Sequence, residues 1–85
     1  MPYFVYILLC SDKSYYIGST NNLEKRFKGH QAGTGGAYTR SHKPTKILYT
    51  EKFPDKSSAL RREARLKRLS RPQKEALIGD NINQE

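Results

Sequence analysis

Eighty-five residues bury one shared core, which leaves no room for a catalytic domain beside a separate recognition domain. Sixteen Lys and Arg against eight Asp and Glu leave a net charge of +8, a balance suited to a polyanion such as DNA, RNA or an acidic membrane surface. The single cysteine, Cys10, excludes an internal disulfide and a cysteine-based zinc site.

The opening MPYFVYILLC is apolar but too short to cross a bilayer, and no secretory leader pattern is present. The cytoplasm is therefore the expected compartment. Aromatic and β-branched side chains over Tyr3 to Leu9 suit a strand, with Cys10 a small apolar residue at its end. Ser11-Asp12-Lys13-Ser14 is a polar turn without the glycine such turns often use. Tyr15 to Gly18 resumes the strand pattern, so the two runs form an antiparallel hairpin that brings Tyr6 near Tyr16.

Asn21 reads as a helix N-cap, with Glu24 three residues later as in a capping box. Leu23 and Phe27 share one face as core residues, and Gly33 is a C-terminal stop. Gly33-Thr34-Gly35-Gly36 is a loop without the GKS or GKT ending of a nucleotide cradle. Lys46 to Phe53 reads as a third strand. Asp55 to Ser58 supplies start chemistry for a helix over Ala59 to Leu69. Ser70-Arg71-Pro72-Gln73 opens a second, shorter helix that Gly79 ends. The expected fold is α/β of the α+β type: a small three-stranded antiparallel sheet flanked by three helices, in the order β-β-α-β-α-α. Residues 1–79 are expected to form one domain and 80–85 a polar, frayed, disordered tail.

Three features point to chemistry. Wound at about 100° per residue, ALRREARLKRL gathers Ala59, Leu60, Ala64, Leu66 and Leu69 into a broad apolar arc. Glu63 falls near the middle of that arc, the sole acid among the eight basic residues from Lys56 to Lys74. A carboxylate so placed needs either a partner, such as Lys67 one turn on, or a cation such as Mg²⁺ or Mn²⁺. Arg26 and His30 lie four apart on one helix face, a guanidinium for a phosphate beside a group that moves protons near neutral pH. That pair also reads as an ordinary solvated face. The basic loop Thr39-Arg40-Ser41-His42-Lys43, with Tyr38 before it, is either a solvated connector or a clamp on DNA with an aromatic ring to stack on a base. His42 has no acid or cysteine at ligand spacing.

Phe4-Val5-Tyr6, nine intervening residues, then Tyr16-Ile17-Gly18 resembles the signature of the GIY-YIG nucleases, loosely in the first half and fully in the second. Arg26 eight residues after Gly18, His30 four after that, and Glu63 on a later helix extend the resemblance, which runs from Pro2 to Ile78. The chain is similar to the small bacterial single-domain members, themselves similar to the nuclease subunit of structure-specific resolvases. The resemblance implies a metal-dependent DNA endonuclease that cuts one strand per active site, in DNA repair or recombination. It implies that Glu63 holds one divalent cation, Mg²⁺ or Mn²⁺, and that Arg26 contacts the scissile phosphate. Tyr6 or His30 would activate the attacking water, Tyr16 would orient the phosphate or water, and Gly18 would allow a tight exit from strand to helix. A further polar residue, often asparagine, has no counterpart to assign here.

The expected partner is DNA, branched or flapped, with a protein partner to supply specificity and no membrane. Tyr38, Arg40, Lys43, Arg61 and Arg65 are the expected nucleic-acid contacts. The alternative is a basic nucleic-acid-binding module of the same fold with weak or no catalysis, supported by the net charge and the basic back of ALRREARLKRL. A protein–protein module whose charge is only surface is the third reading.

Overall fold

A computed structural model describes residues 2–33 and 42–83. The order is β1 (Tyr3–Cys10), β2 (Tyr15–Thr20), α1 (Leu23–Gln31), β3 (Pro44–Phe53), α2 (Lys56–Arg68) and α3 (Arg71–Asn83). All three strands are antiparallel in the order β2-β1-β3, so the apolar β1 is central. Among the described residues no helix is long and apolar enough to cross a membrane.

Strand alternation splits β1 between two layers. Val5 and Ile7 point to one face and join Ile17, Tyr49, Ala59, Leu66 and Ile78 in the core beneath α2 and α3. Tyr6 and Leu8 point to the other face, where they line a groove with Leu23, Arg26 and Phe27 of α1 and with Ile47. Both faces are covered, which explains why β1 reads as a continuous apolar run rather than an alternating one.

The hairpin turns without glycine because Lys13 itself takes the left-handed conformation, with φ of 73°. Its N–H donates to the Cys10 carbonyl at 2.9 Å, and the Asp12 carboxylate accepts from the Ser14 backbone N–H at 3.0 Å. The N-cap of α1 is Asn22 rather than Asn21. Its side chain accepts from the Lys25 N–H at 3.1 Å, while Thr20 Oγ1 accepts from the Asn22 N–H at 3.1 Å. Buried Thr20 thus extends β2 past Gly18 and delays the helix by one residue. Glu24, displaced from the capping-box position, pairs with Lys28 at 3.1 Å. Gly33 closes the helix as expected, with φ of 84° and its N–H donating to the His30 carbonyl at 3.1 Å.

β3 begins two residues before the expected Lys46, and its pairing with β1 slips between Ile7/Leu8 and Leu9/Cys10. α2 begins at Lys56, capped by Asp55, whose carboxylate accepts from the Ser58 N–H at 2.7 Å. The capping box of α3 forms as expected: the Ser70 N–H donates to Gln73 Oε1 at 2.9 Å and the Gln73 N–H to Ser70 Oγ at 3.4 Å. Gly79 does not end α3, whose backbone stays helical to Asn83. A Cβ at Gly79 would meet open space, and its φ is not left-handed, so nothing there turns the chain.

The apolar arc of α2 is narrower than the wheel suggests. Ala59 and Leu66 are fully buried, whereas Leu60 is 46% exposed and Ala64 faces solvent. The helix seats on a thin seam over the sheet, and its flanks carry Arg62 and Glu63. Arg62 reaches Glu51 on β3 with bonds of 2.7 and 3.0 Å, and Glu63 reaches Ser19 on β2 at 2.6 Å. One polar tie to each outer strand fixes the helix across the sheet.

Candidate active site

The hydroxyl of Tyr6 is the centre of the candidate site. It lies 3.0 Å from His30 Nε2, and both residues are buried. The Tyr16 ring stands 6.4 Å from that of Tyr6 and edge-on to the His30 imidazole at 4.9 Å, centroid to centroid. The three rings come together because Tyr6 and Tyr16 share a sheet face and α1 presses His30 onto it. Leu23 and Phe27 are only half-buried. His30 is the one fully buried side chain of α1, a position where leucine would be usual. The hydroxyl of Tyr6 makes that burial tolerable.

Gly18 has a different role from the expected one. It sits within β2 opposite Tyr6, not at the strand exit. A Cβ there would lie 2.5 Å from the Tyr6 hydroxyl oxygen, 2.7 Å from Tyr6 Cζ and 3.3 Å from Tyr16 Cε1. The bare backbone is a bed for the Tyr6 ring.

Electrostatics tie the remaining residues to the same hydroxyl. Burial pushes the Tyr6 phenol well above the ordinary tyrosine value, and Tyr16 adds to the rise. The positive charge of Arg26 pulls it back, and the negative charge of Glu63 pushes it further up. Both charges therefore act at one oxygen. His30 is held below the usual histidine range, first by burial and then by Arg26, so it is neutral at pH 7. Arg26 is exposed and lines the groove beside Tyr6 from α1.

Glu63 arrives from the other layer, on α2. Its Oε1 accepts from the Ser19 hydroxyl at 2.6 Å and its Oε2 lies 2.8 Å from Lys67 Nζ. No contact between Glu63 and Arg26 appears among the described residues: Arg26 lines the groove on the Tyr6 face of the sheet, and Glu63 rests on Ser19 and Lys67. Nor, among those residues, do three His, Cys, Asp or Glu side chains gather as a metal site. Glu63 is a single carboxylate, 17% exposed, with a serine hydroxyl beside it.

Of the expected nucleic-acid contacts, Lys43, Arg61 and Arg65 are among the described residues. Arg61 and Arg65 are exposed on the far side of α2, and the Arg61 guanidinium donates to the hydroxyls of Ser57 and Ser58 in its own helix at 3.1 and 3.4 Å. Lys43 is exposed after His42, which the fold sets 3.4 Å from the Asp12 carboxylate. Tyr38 and Arg40 lie outside the described residues.

A tyrosine pair, a glycine bed and a histidine thus pack together, with the arginine beside them and the glutamate on the helix of the other layer. The family pattern described as the GIY-YIG catalytic domain matches residues 2–76. The chain belongs to the GIY-YIG family. Within it, the chain is 52% identical over 75 residues to a UPF0213 protein of Clostridium perfringens, covering 88% of this chain and 81% of that one. It is 45% identical over 78 residues to a UPF0213 protein of Natronomonas pharaonis, covering 92% of each. The solution NMR structure of a UPF0213 protein from Bacillus halodurans is 43% identical, with a TM-score of 0.60 over 93% of this chain and 84% of that one. A second solution NMR structure, of a protein from E. faecalis, is 38% identical with a TM-score of 0.65, over 100% of this chain and 90% of that one.

Two features of this GIY-YIG chain escape the sequence reading. Ser19 follows the YIG run directly, and strand alternation alone turns it away from Tyr16 and Gly18, toward the helix that carries Glu63. Tyr49, Glu51 and Arg62 form a half-buried network on the core face, with the Tyr49 hydroxyl donating to the Glu51 carboxylate. Burial and the Glu51 carboxylate push the Tyr49 phenol up to about 12. Arg62 holds the Glu51 carboxyl below the usual range against the opposing effect of burial. Tyr49 and Glu51 are two apart on a strand and so share a face, which is the sequence signal for this network.

Proposed function

We propose that the chain is a divalent-metal-dependent DNA endonuclease that hydrolyses one strand per active site. The observation that carries the reading is the Tyr6 hydroxyl, hydrogen-bonded to buried neutral His30 and acted on by Arg26 and Glu63 from the two layers of the fold. Arg26, exposed beside Tyr6, would bind the scissile phosphate and stabilise the charge that develops on it. His30 is buried and reaches a substrate water through Tyr6. As the water oxygen attacks phosphorus, the P–O bond to one strand end breaks and that leaving oxygen takes a proton from solvent, while the attacking water's proton passes to the Tyr6 oxygen and the Tyr6 proton moves to His30 Nε2. Tyr6 stays a neutral phenol at both ends of the transfer, which agrees with its raised pKa. Tyr16, packed on the edge of His30, keeps the imidazole in line.

Glu63 fits one magnesium or manganese ion that keeps most of its waters, because such ions need few protein oxygens. Lys67 now occupies one carboxylate oxygen, but its side chain is 55% exposed and has room to leave. Bound there, the cation would supply positive charge beside the phosphate and acidify a water.

A second reading rests on the same contact. Ser19 and Lys67 engage both oxygens of Glu63, as in a domain that binds DNA through its charge and cuts nothing. Incubating the protein with branched, flapped and nicked DNA and Mg²⁺ or Mn²⁺, beside Glu63→Ala and Arg26→Ala, separates the two. Cleavage that both variants lose supports the enzyme. Metal-independent binding without cleavage of any of these DNAs supports the binding module.

A further inference from the structure

The basic residues nearest to Glu63 are not those on the back of α2. At about 100° per residue Lys67 follows Glu63 around the flank that faces β2, while Arg61 and Arg65 point away. β2 is an edge strand, and along its outer side runs an open groove lined by Tyr15, Tyr16, Ile17, Lys67 and Lys74. Lys67 comes from α2 and Lys74 from α3, so two helices aim cations at one groove.

The charges around the groove are unevenly matched. Glu75, the nearest acid on α3, is taken by Arg71 at 3.8 Å and by the Tyr15 hydroxyl at 3.5 Å. Arg71 lies 4.1 Å over the Tyr15 ring and donates to the Lys13 carbonyl at 2.7 Å, which pins α3 to the hairpin. Lys74, one turn on from Arg71, is half-buried and makes no ion pair among the described residues. It lines the groove together with Tyr15, Tyr16 and Lys67. Lys67 links the groove to the site, since its ammonium rests on Glu63 at one end of it.

We infer that Lys67 and Lys74 form a second phosphate subsite, along the outer edge of β2, that holds the DNA backbone next to the phosphate being cut. The inference rests on the nuclease reading, for it takes Glu63 as the point where the strand is held. Tyr15 and Tyr16 line the same groove from the strand edge, beside the path of the backbone. A strand leaving Glu63 then passes Lys67 first and Lys74 next. Lys67 moves from Glu63 to a phosphate as substrate arrives, which exchanges one anionic partner for another.

The test is binding of a fluorescent oligonucleotide to the full chain in EDTA, followed across salt concentrations. Removing one lysine–phosphate pairing makes the slope of log affinity against log salt shallower by about 0.7–0.9. Lys74→Gln is expected to show that decrease, Lys74→Arg to restore the slope, and Lys52→Gln, an exposed charge on the opposite edge strand, to leave it in place. Thermal melting checks that each variant is folded. If Lys74→Gln and Lys52→Gln change binding equally, the subsite is overturned and Lys74 is ordinary surface charge. The two readings fail separately. Wild-type protein that cuts DNA while Lys74→Gln keeps the full slope loses the subsite alone. Wild-type protein that cuts nothing while Lys74→Gln loses slope keeps a phosphate groove and loses the nuclease.

Discussion

Replacing Gly18 with alanine puts a methyl carbon where the Tyr6 ring already lies. The new Cβ would stand 2.5 Å from the hydroxyl oxygen and 2.7 Å from Cζ, closer than such atoms approach, so the ring must shift. Tyr6 is 2% exposed and sits in a packed layer under α1, and overpacking of this kind costs about 1–3 kcal/mol. A shifted ring also breaks the Tyr6–His30 hydrogen bond, which costs about 0.5–1.5 kcal/mol more. Against this, alanine in a strand recovers about 0.5–1 kcal/mol over glycine. The net destabilisation is about 0.5–4 kcal/mol, or roughly 2–30 °C in melting temperature for a domain of this size. Thermal unfolding followed by circular dichroism measures it. Repeating the substitution in Tyr6→Phe removes the hydroxyl contact and leaves the Cζ contact, so the penalty should shrink without vanishing. A Gly18→Ala protein that melts at the wild-type temperature, or a penalty unchanged in Tyr6→Phe, would refute the bed for Tyr6.

Four further outcomes follow from named contacts. His30 has a folded pKa below its unfolded value, so the unfolded chain takes up the proton first; stability is complete above the unfolded value near ~6.5 and falls below it by up to ~1.4 kcal/mol per pH unit until the folded value is passed. Urea unfolding at a series of pH values reads that slope, which His30→Gln should flatten. Arg62→Ala strands the Glu51 carboxylate, and with the pair about a quarter exposed the cost is about 1–3 kcal/mol, read as a lower urea midpoint with the same m-value. Lys13→Gly removes a left-handed side-chain residue from the hairpin and should stabilise by up to ~1 kcal/mol, visible as a higher melting temperature. Arg26→Ala, on an exposed position, should leave melting unchanged and slow DNA cleavage by about 10²–10³-fold.

Period and punctuation made the fold legible. The apolar run of β1, the hairpin, the Gly33 stop and the Ser70 capping box each act within a few residues, and each reads directly from the chain. The chain order of Tyr6, Tyr16, Gly18, Arg26, His30 and Glu63 was legible as a pattern. What escaped depends on contacts between layers. Gly18 looked like a hinge because the ring it accommodates is twelve residues earlier, on the neighbouring strand. Leu60 looked buried because an apolar side chain on a helix wheel carries no sign of how wide a seam the sheet offers. His30 looked like half of a solvated face because its partner, Tyr6, is twenty-four residues away. Ser19, Lys74 and the Tyr49–Glu51–Arg62 network likewise need the sheet register and the helix docking before their neighbours are known.

The most direct measurement compares single-turnover cleavage of one branched DNA by wild type, Arg26→Ala, Glu63→Ala and the double variant, each shown to be folded by its melting curve. Residues that act as a unit on one phosphate are strongly non-additive. The double variant is expected to be hardly slower than either single one. Losses that multiply, or a Glu63→Ala protein that cuts at the wild-type rate, would contradict a single site served from both layers of the sheet.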